Sequence, residues 1–504
     1  MADKKIRQIY DNLYGYITFD KEKFEFILKD SFFLRLHNLK QMGLGYYVYP
    51  DALHTRFAHS LGVYCNITKI IESQKQYTGN EIISDDDIYK IQLSGLLHDI
   101  GHLPLSHTFE EALQRFDKYE NNCEKLDDKN KVVASNIVSD PDDLPKNKSE
   151  NSYFDEPKLH EKLGEFVLGG SEISHQLEKR GISYLDIANG FKGFGDINSL
   201  DKPAESMYDK QIRNFLHSQL DADRLDYLLR DSGFSGVKTG SFDIDKLLNS
   251  IVYDEKANYG IDESGIRALE QFLMGRFVAY CQVVANKKVM AFEFMAQDFY
   301  FRLLKLRKEQ NYHLGIRLYS YKDLVKDVLI RRPEEFLNFT DDYFFSLIRE
   351  VMANKRIMQD YDPIVVKYAE MITNIQPLVP VTYFETFYEG MTSKNCFFEY
   401  LFENPHILDI ISEESEVERD HIIFNKPFKV SLYKNDIDPI QIFRNREAVY
   451  QDVSECKASI LNFLVSREYR IYRIYTFDSN EAIKLKVTLA KHAKGFEYKG
   501  DLKD

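Results

Sequence analysis

The chain has no tryptophan, little proline (13 residues) and only five cysteines in 504 residues. Those cysteines, Cys65, Cys123, Cys281, Cys396 and Cys456, are odd in number and none are spaced as a CxxC pair. A disulfide framework and a thiolate zinc site are therefore not indicated, and free thiols in a reducing cytoplasm are the expectation. No apolar run is long enough to span a bilayer, and Met-Ala-Asp-Lys-Lys-Ile-Arg at the start lacks a signal-peptide core. A surplus of positive charge is missing too. The formal net charge of −14 argues against a broadly basic nucleic-acid surface, though it leaves room for a local basic pocket. The composition, 44% hydrophobic and 29% charged, is that of a soluble globular protein with more than one domain.

The stretch Leu93-Ser-Gly-Leu-Leu-His98-Asp99-Ile-Gly-His102-Leu-Pro-Leu-Ser-His107 concentrates the chemistry. An apolar run leads into a His-Asp doublet, and two more histidines follow at a Gly and a Pro that break a helix. Imidazole suits transition metals and carboxylate oxygen suits harder cations, so the doublet can ligate one divalent ion.

Taken in order, Gly15-Tyr-Ile-Thr-Phe alternates like a short strand. Residues 22–41 read as one helix, ended by the glycines and proline of Gln41-Met-Gly-Leu-Gly-Tyr-Tyr-Val-Tyr-Pro. His54-Thr-Arg56-Phe-Ala-His59-Ser-Leu-Gly opens a helix to about Ser73. Ser84 followed by three aspartates reads as an N-cap with acidic first-turn residues, starting a helix that carries Ile88, Ile91, Leu93, Leu96 and Leu97 up to His98. Residues 114–158 turn polar and read as a surface insertion with one short helix near 114–138. His160-Glu161 begins the next helical pattern.

In the segment from about Asp209 to Asp231, place Asp223 at zero on a wheel of roughly 100° per residue. Tyr227 then falls at about 40°, Asp231 at about 80° and Arg224 at about 100°, with Leu228, Leu225 and Leu229 at about 140°, 200° and 240°. One face is apolar; the other carries two carboxylates, a phenol and a guanidinium. Ser232-Gly233 is expected to close this helix. A long helical stretch over 262–310 contains Arg276, Tyr280 and Lys287, and further helices run to about 375. Beyond 380 the chain changes: Arg470-Ile-Tyr-Arg-Ile-Tyr-Thr-Phe and Phe428-Lys-Val-Ser-Leu-Tyr are strand-like, and Ile483 to His492 reads as a closing helix. The expected fold is mainly α: a helical-bundle core over 1–375 with an insertion at about 114–158, and a smaller α+β region over 376–504 that packs on the core and takes part in oligomer contacts.

His59, His98, Asp99 and Asp223 come from three helices, an arrangement that places a metal inside a bundle. The order His…His-Asp…Asp resembles the HD-domain metal-dependent phosphohydrolases. Gln41-Met-Gly…Tyr-Tyr-Val-Tyr-Pro, His54-Thr-Arg56-Phe-Ala-His59-Ser-Leu-Gly, the His98–His107 stretch and Gln219-Leu-Asp-Ala-Asp223-Arg-Leu-Asp-Tyr227-Leu-Leu-Arg-Asp231-Ser are similar to the deoxynucleoside triphosphate triphosphohydrolase branch, densely over about residues 10–290.

The resemblance implies that His59, His98, Asp99 and Asp223 hold a divalent metal, with Mn, Mg, Fe, Ni, Co and Zn all admissible. Arg56, His102, His107, His160, Arg224, Tyr227 and Arg276 would surround the triphosphate, Glu110 and Glu161 would tune the histidines, and Gln41, Tyr227 and Asp231 would contact the deoxyribose. It implies water attack at the α-phosphorus, a nucleoside triphosphate substrate, a homo-oligomer (dimer or tetramer), a nucleotide activator and a cytoplasmic location, with no membrane or nucleic-acid partner.

Two departures bear on this. Val283-Val284-Ala-Asn286-Lys287 stands where the family carries Val-Tyr-x-His-Lys, so an aromatic beside the sugar 2′ position is replaced by Val284 and discrimination against ribonucleotides is in question. Leu34 and His37 occupy the positions where the vertebrate branch reads an activating guanine.

Plainer roles stand beside these. His102, His107 and His160 as helix-end surface groups, Arg56, Arg224 and Arg276 as ion-pair partners, and Gln41 and Asp231 as turn caps are ordinary uses of such residues. Other readings keep the metal site and change the substrate to a ribonucleotide or another phosphoester, or make it a non-catalytic nucleotide sensor.

Overall fold

A β-hairpin, Ile6–Asp11 paired antiparallel with Gly15–Asp20, precedes the helices and presents Asp11 on its buried side. The computed structural model describes residues 5–78, 82–129, 158–192, 206–239, 242–388, 391–424, 427–431, 433, 439–446, 448–463 and 467–502. The fold is mainly α.

The helix Arg56–Thr78 lies at the centre. Its residues divide between the two largest apolar cores: Phe57, Leu61 and Tyr64 face one, while Val63, Ile67, Ile70 and Ile71 face the other. A helix buried on both sides needs no single apolar stripe, so its amphipathic pattern is weak in the sequence. Against it pack the helices Asp85–Leu97 and Ala222–Ser235. Ser84 caps the first, its side chain accepting the Asp87 N–H, and the helix ends at Leu97, so His98 stands at the cap position. The second helix runs on past Ser232-Gly233 to Ser235 and closes at Gly236, whose φ of 71° suits a residue without a Cβ.

Other boundaries also differ from the sequence expectation. The stretch 22–41 is not one helix: Asp30 accepts the N–H groups of Phe32 and Phe33 and restarts the chain as a separate short helix, Ser31–Arg35. Local side-chain capping overrides the apolar periodicity there. The stretch 262–310 is broken as well. The helix Ile266–Ala279 widens into a π-turn over Tyr280–Val284, and Asn286 caps a new helix, Lys287–Gln310. The helix from Arg56 is longer than expected, to Thr78. The helix His107–Lys129 covers the start of the expected insertion, of which 130–157 lies outside the described residues.

The turn after His98-Asp99 carries two non-glycine residues in the left-handed region, Leu105 (φ 52°) and Ser106 (φ 57°). Two distant side chains hold it. Arg35, 3% exposed, donates to the carbonyls of Ile100 (3.3 Å), His102 (2.5 Å) and Phe339 (2.8 Å). Asp341 accepts the N–H groups of Leu105 and Lys40, each at 2.9 Å. Gly101 lets this turn touch the next helix, Leu159–Gly169: a Cβ there would lie 2.2 Å from the His160 carbonyl oxygen and 2.3 Å from the Gly164 nitrogen.

Toward the C-terminus, Val379–Tyr388 pairs antiparallel with Glu468–Thr476, whose other edge takes Ile423–Phe424 and Phe428–Ser431. The helix Ser479–His492 packs on this sheet. A second sheet combines Ile251–Tyr253 and Tyr259–Asp262 with Gln441–Arg444 and Ala448–Asp452, so residues on both sides of position 375 share one set of strands. The strand-like and helical signals beyond 380 all fall on these elements.

Gly101→Ala should force backbone apart at the turn and cost about 1–3 kcal/mol as an overpacking change. A chemical denaturation midpoint shift of that size is the expected result, with loss of the His160 contact to the site.

Candidate metal centre

His59 sits one turn into the central helix with its ring 1% exposed. Its Nδ1 is 2.7 Å from Asp226 Oδ2, and its Nε2 is 3.0 Å from Asp223 Oδ1 and 3.8 Å from Asp99 Oδ2. His98 donates from Nδ1 to the Gly95 carbonyl at 2.8 Å. That bond aims Nε2 at Asp99 Oδ1 (3.3 Å) and Asp223 Oδ1 (3.8 Å), and this nitrogen is buried with no hydrogen-bond partner. The ligand atoms of His59, His98 and Asp223 lie within 4.8 Å of one another. Two imidazole nitrogens facing two carboxylates, one nitrogen orphaned, form a donor set that fits a divalent cation.

Electrostatics agree with that fit. Burial opposes a charge on His59, but its hydrogen bonds to Asp223 and Asp226, with the charges of Asp226 and Asp99, outweigh it and raise it to about 10. Burial also opposes ionisation of Asp99; the charges of Arg56, His98 and His102 overcome it and hold the carboxyl well below its usual range. A proton on His59 thus occupies the place a cation would take, and metal binding must displace it.

A second cluster adjoins the first through Asp99, whose Oδ1 is also 3.2 Å from His102 Nε2. Glu110, in the first turn of its helix, collects three histidines: His160 Nδ1 at 2.7 Å, His102 Nδ1 at 3.3 Å and His107 Nδ1 at 3.6 Å. The His102 and His160 rings stack with centroids 3.8 Å apart. Burial, with the charges of Arg56 and His160, pushes His102 down to about 3. Burial likewise pushes His160 down to about 4 against the pull of Glu110. Both rings are therefore neutral at pH 7. His107 is 60% exposed.

Most of the remaining sequence candidates have partners of their own. Arg56 donates to Asp99 Oδ2 at 2.6 Å and to Ser106 Oγ at 3.0 Å. Arg224 pairs with Asp221 at 2.8 Å, and Asp231 accepts from His54 Nε2 at 2.8 Å. Tyr227 meets Tyr280, hydroxyl to hydroxyl, at 3.3 Å. Arg276 donates to the Ser431 carbonyl at 3.1 Å while its Nε is buried without a partner. Gln41 Oε1 is likewise buried without a partner. Glu161 accepts the Lys158 N–H at 2.8 Å and caps its own helix.

Sequence reasoning passed over Asp226, Arg230 and Asp11. On the same wheel Asp226 falls at about 300°, between Leu229 and Asp223, where a carboxylate is out of place unless it is paired. Arg230, four residues on, was the available signal.

Residues 56–230 match the family model described as HD domain, so the chain contains an HD domain. Among curated proteins, Bacillus subtilis YwfO, an uncharacterized protein, is 27% identical over 290 residues, 57% of this chain and 54% of that one. The Bos taurus deoxynucleoside triphosphate triphosphohydrolase SAMHD1 is 39% identical over 105 residues, 21% of this chain and 18% of its own. The matched region thus spans about half or less of these relatives. A crystal structure of a phosphohydrolase from Bacteroides thetaiotaomicron superposes with a TM-score of 0.64 over 94% of this chain and all of that one, at 21% identity, which shows a shared fold.

His102 and His160 make the protein acid-sensitive. Their folded values lie below the unfolded 6.5, so the stability they contribute is complete above pH 6.5 and is lost as pH falls toward 4. Burial of neutral His160 alone accounts for on the order of 3 kcal/mol over that window. Urea midpoints at pH 7, 5.5 and 4.5 should fall in that order, and His160→Gln should flatten the trend.

Proposed function

We propose that this chain is a metal-dependent phosphohydrolase that cleaves a deoxynucleoside triphosphate into deoxynucleoside and inorganic triphosphate. The observation that carries it is the junction at Asp99, where a His59/His98/Asp223 donor set meets neutral, carboxylate-backed histidines. The local identity to a dNTP triphosphohydrolase supports the substrate class. A divalent cation held by His59, His98, Asp99 and Asp223 supplies Lewis acidity toward a phosphoryl oxygen.

The residues divide the remaining work. His160 donates its Nδ1 proton to Glu110, which leaves the Nε2 lone pair to accept a proton from water. Water attacks the α-phosphorus, the bond to the 5′ oxygen breaks, and the proton passes to that oxygen. His102, stacked on His160, and the exposed His107 extend the same proton-exchanging surface. Arg276, with its free Nε, and the guanidinium groups of Arg56 and Arg224 offset the triphosphate charge. Tyr227 is one turn from Asp223 on the same helix, and with Gln41 and Asp231 it borders the sugar. Glu161 holds the end of the helix that presents His160. A homo-oligomer, dimer or tetramer, and a cytoplasmic location accompany this reading. A ribonucleotide substrate is the second reading, favoured by Val284, which is half-buried in the π-turn next to Tyr280.

The test is a product assay on Mn²⁺- or Mg²⁺-loaded protein with each dNTP and rNTP, alone and mixed. Nucleoside plus triphosphate from dNTPs is the expected result. Equal turnover of rNTPs moves the assignment to the second reading. No turnover with nucleotide still bound makes the site a sensor. His160→Ala should lower kcat by about 10²–10⁴-fold while metal content stays at the wild-type level.

A further inference from the structure

Asp226 is fully buried and touches His59 on the side away from the site. Its Oδ2 accepts from His59 Nδ1 at 2.7 Å and from Arg230 Nε at 2.9 Å; its Oδ1 accepts from Arg230 Nη2 at 2.9 Å. Arg230, 1% exposed, reaches on with Nη1 to Asp11 Oδ2 at 2.9 Å. Asp11 is 6% exposed and belongs to the N-terminal hairpin. The result is an unbroken line of charge-assisted hydrogen bonds from the hairpin to His59. Burying four ionisable groups in a row is costly, and the same volume filled with apolar side chains would stabilise the core at least as well. Stability by itself therefore does not account for the line.

The glycine in His59-Ser-Leu-Gly62 belongs to the same construction. A Cβ on Gly62 would fall 1.8 Å from Asp226 Oδ1 and 2.8 Å from Arg230 Nη2. The central helix thus gives up a side chain one turn from His59 so that the carboxylate can lie against it.

We infer that Asp226 is a positioning residue for the metal centre, with Arg230 and Asp11 holding it in place. By accepting the Nδ1 proton, the carboxylate fixes the His59 tautomer with its Nε2 lone pair aimed into the site, and a negative partner makes that nitrogen a stronger donor. Arg230 grips both oxygens of Asp226 through Nε and Nη2, which holds the carboxylate against rotation. Asp11 keeps Arg230 in register and ties the hairpin to the metal site. The inference rests on the metal-site reading and concerns none of the substrate assignments.

The experiment measures Co²⁺ affinity of the full chain by competition with a chromophoric chelator, together with the visible absorption bands of the bound ion. Wild type, His59→Ala, Asp226→Asn and Asp11→Asn are compared. Asp226→Asn keeps the shape and removes the charge. It should weaken Co²⁺ binding about 10–100-fold and shift the visible bands, with circular dichroism unchanged. Asp11→Asn, two links further out, should weaken binding by a smaller factor, threefold or more. Wild-type affinity and bands in a folded Asp226→Asn overturn the inference. If Asp226→Asn does not fold, Asp11→Asn decides: threefold or greater weakening supports it, and wild-type affinity overturns it. Absence of Co²⁺ binding by the wild type, or equal binding by His59→Ala, removes the metal-site reading and this inference with it.

Discussion

Carboxylates crowded into a dry interior set the terms for the rest of this molecule. Asp99, Asp226 and Glu110 are buried within a few side chains of one another, and Asp223 lies at their edge. Each buried charge costs several kcal/mol unless it is paired and hydrogen-bonded. The fold answers with a cation where geometry allows, Arg56 on Asp99 and Arg230 on Asp226, and with a neutral imidazole N–H from His160 on Glu110. Asp99 and Asp223 instead share the imidazole nitrogens of His59 and His98. Together these groups form a donor set that could hold a divalent cation.

The same accounting explains why two clusters of histidines behave differently. His59, with three carboxylates around it, favours the charged form. Burial, helped at His102 by the Arg56 charge, outweighs the pull of the neighbouring carboxylates and leaves His102 and His160 favouring the neutral form. Environment separates the two groups although the residue type is the same. Backbone geometry has to hold this difference in place. The left-handed turn at Leu105-Ser106 costs energy, and Arg35 and Asp341 offset it by hydrogen-bonding its peptide groups from elements far away in the chain.

Much of this was legible in the sequence because it is local. The Ser84 cap, the end of its helix at His98, and the turn forced by Gly101 and Pro104 follow from neighbours within one helical turn. The strand signals at Arg470 and Phe428 alternate in the way a half-buried sheet requires. The resemblance carried by three ordered motifs placed His59, His98, Asp99 and Asp223 in one site, and their proximity here follows that order. What misled was periodicity without capping: residues 22–41 and 262–310 have helical spacing, yet Asp30 and Asn286 each begin a new helix.

Local spacing thus determined the Ser84 cap and the end of its helix at His98, since these depend on neighbours within three or four residues, while the donor set was legible only through the resemblance of its ordered motifs. Only the tertiary structure decided the partners. Whether Arg56 meets a phosphate or Asp99, whether Arg224 is bound to Asp221, and whether Asp226 faces solvent or His59 depend on which helices come together. Asp11 and Arg230 lie 219 positions apart, and Arg35 and Phe339 lie 304 apart. Such pairs form because an interior charge must find its opposite, and where it finds one is fixed by packing that no local pattern encodes.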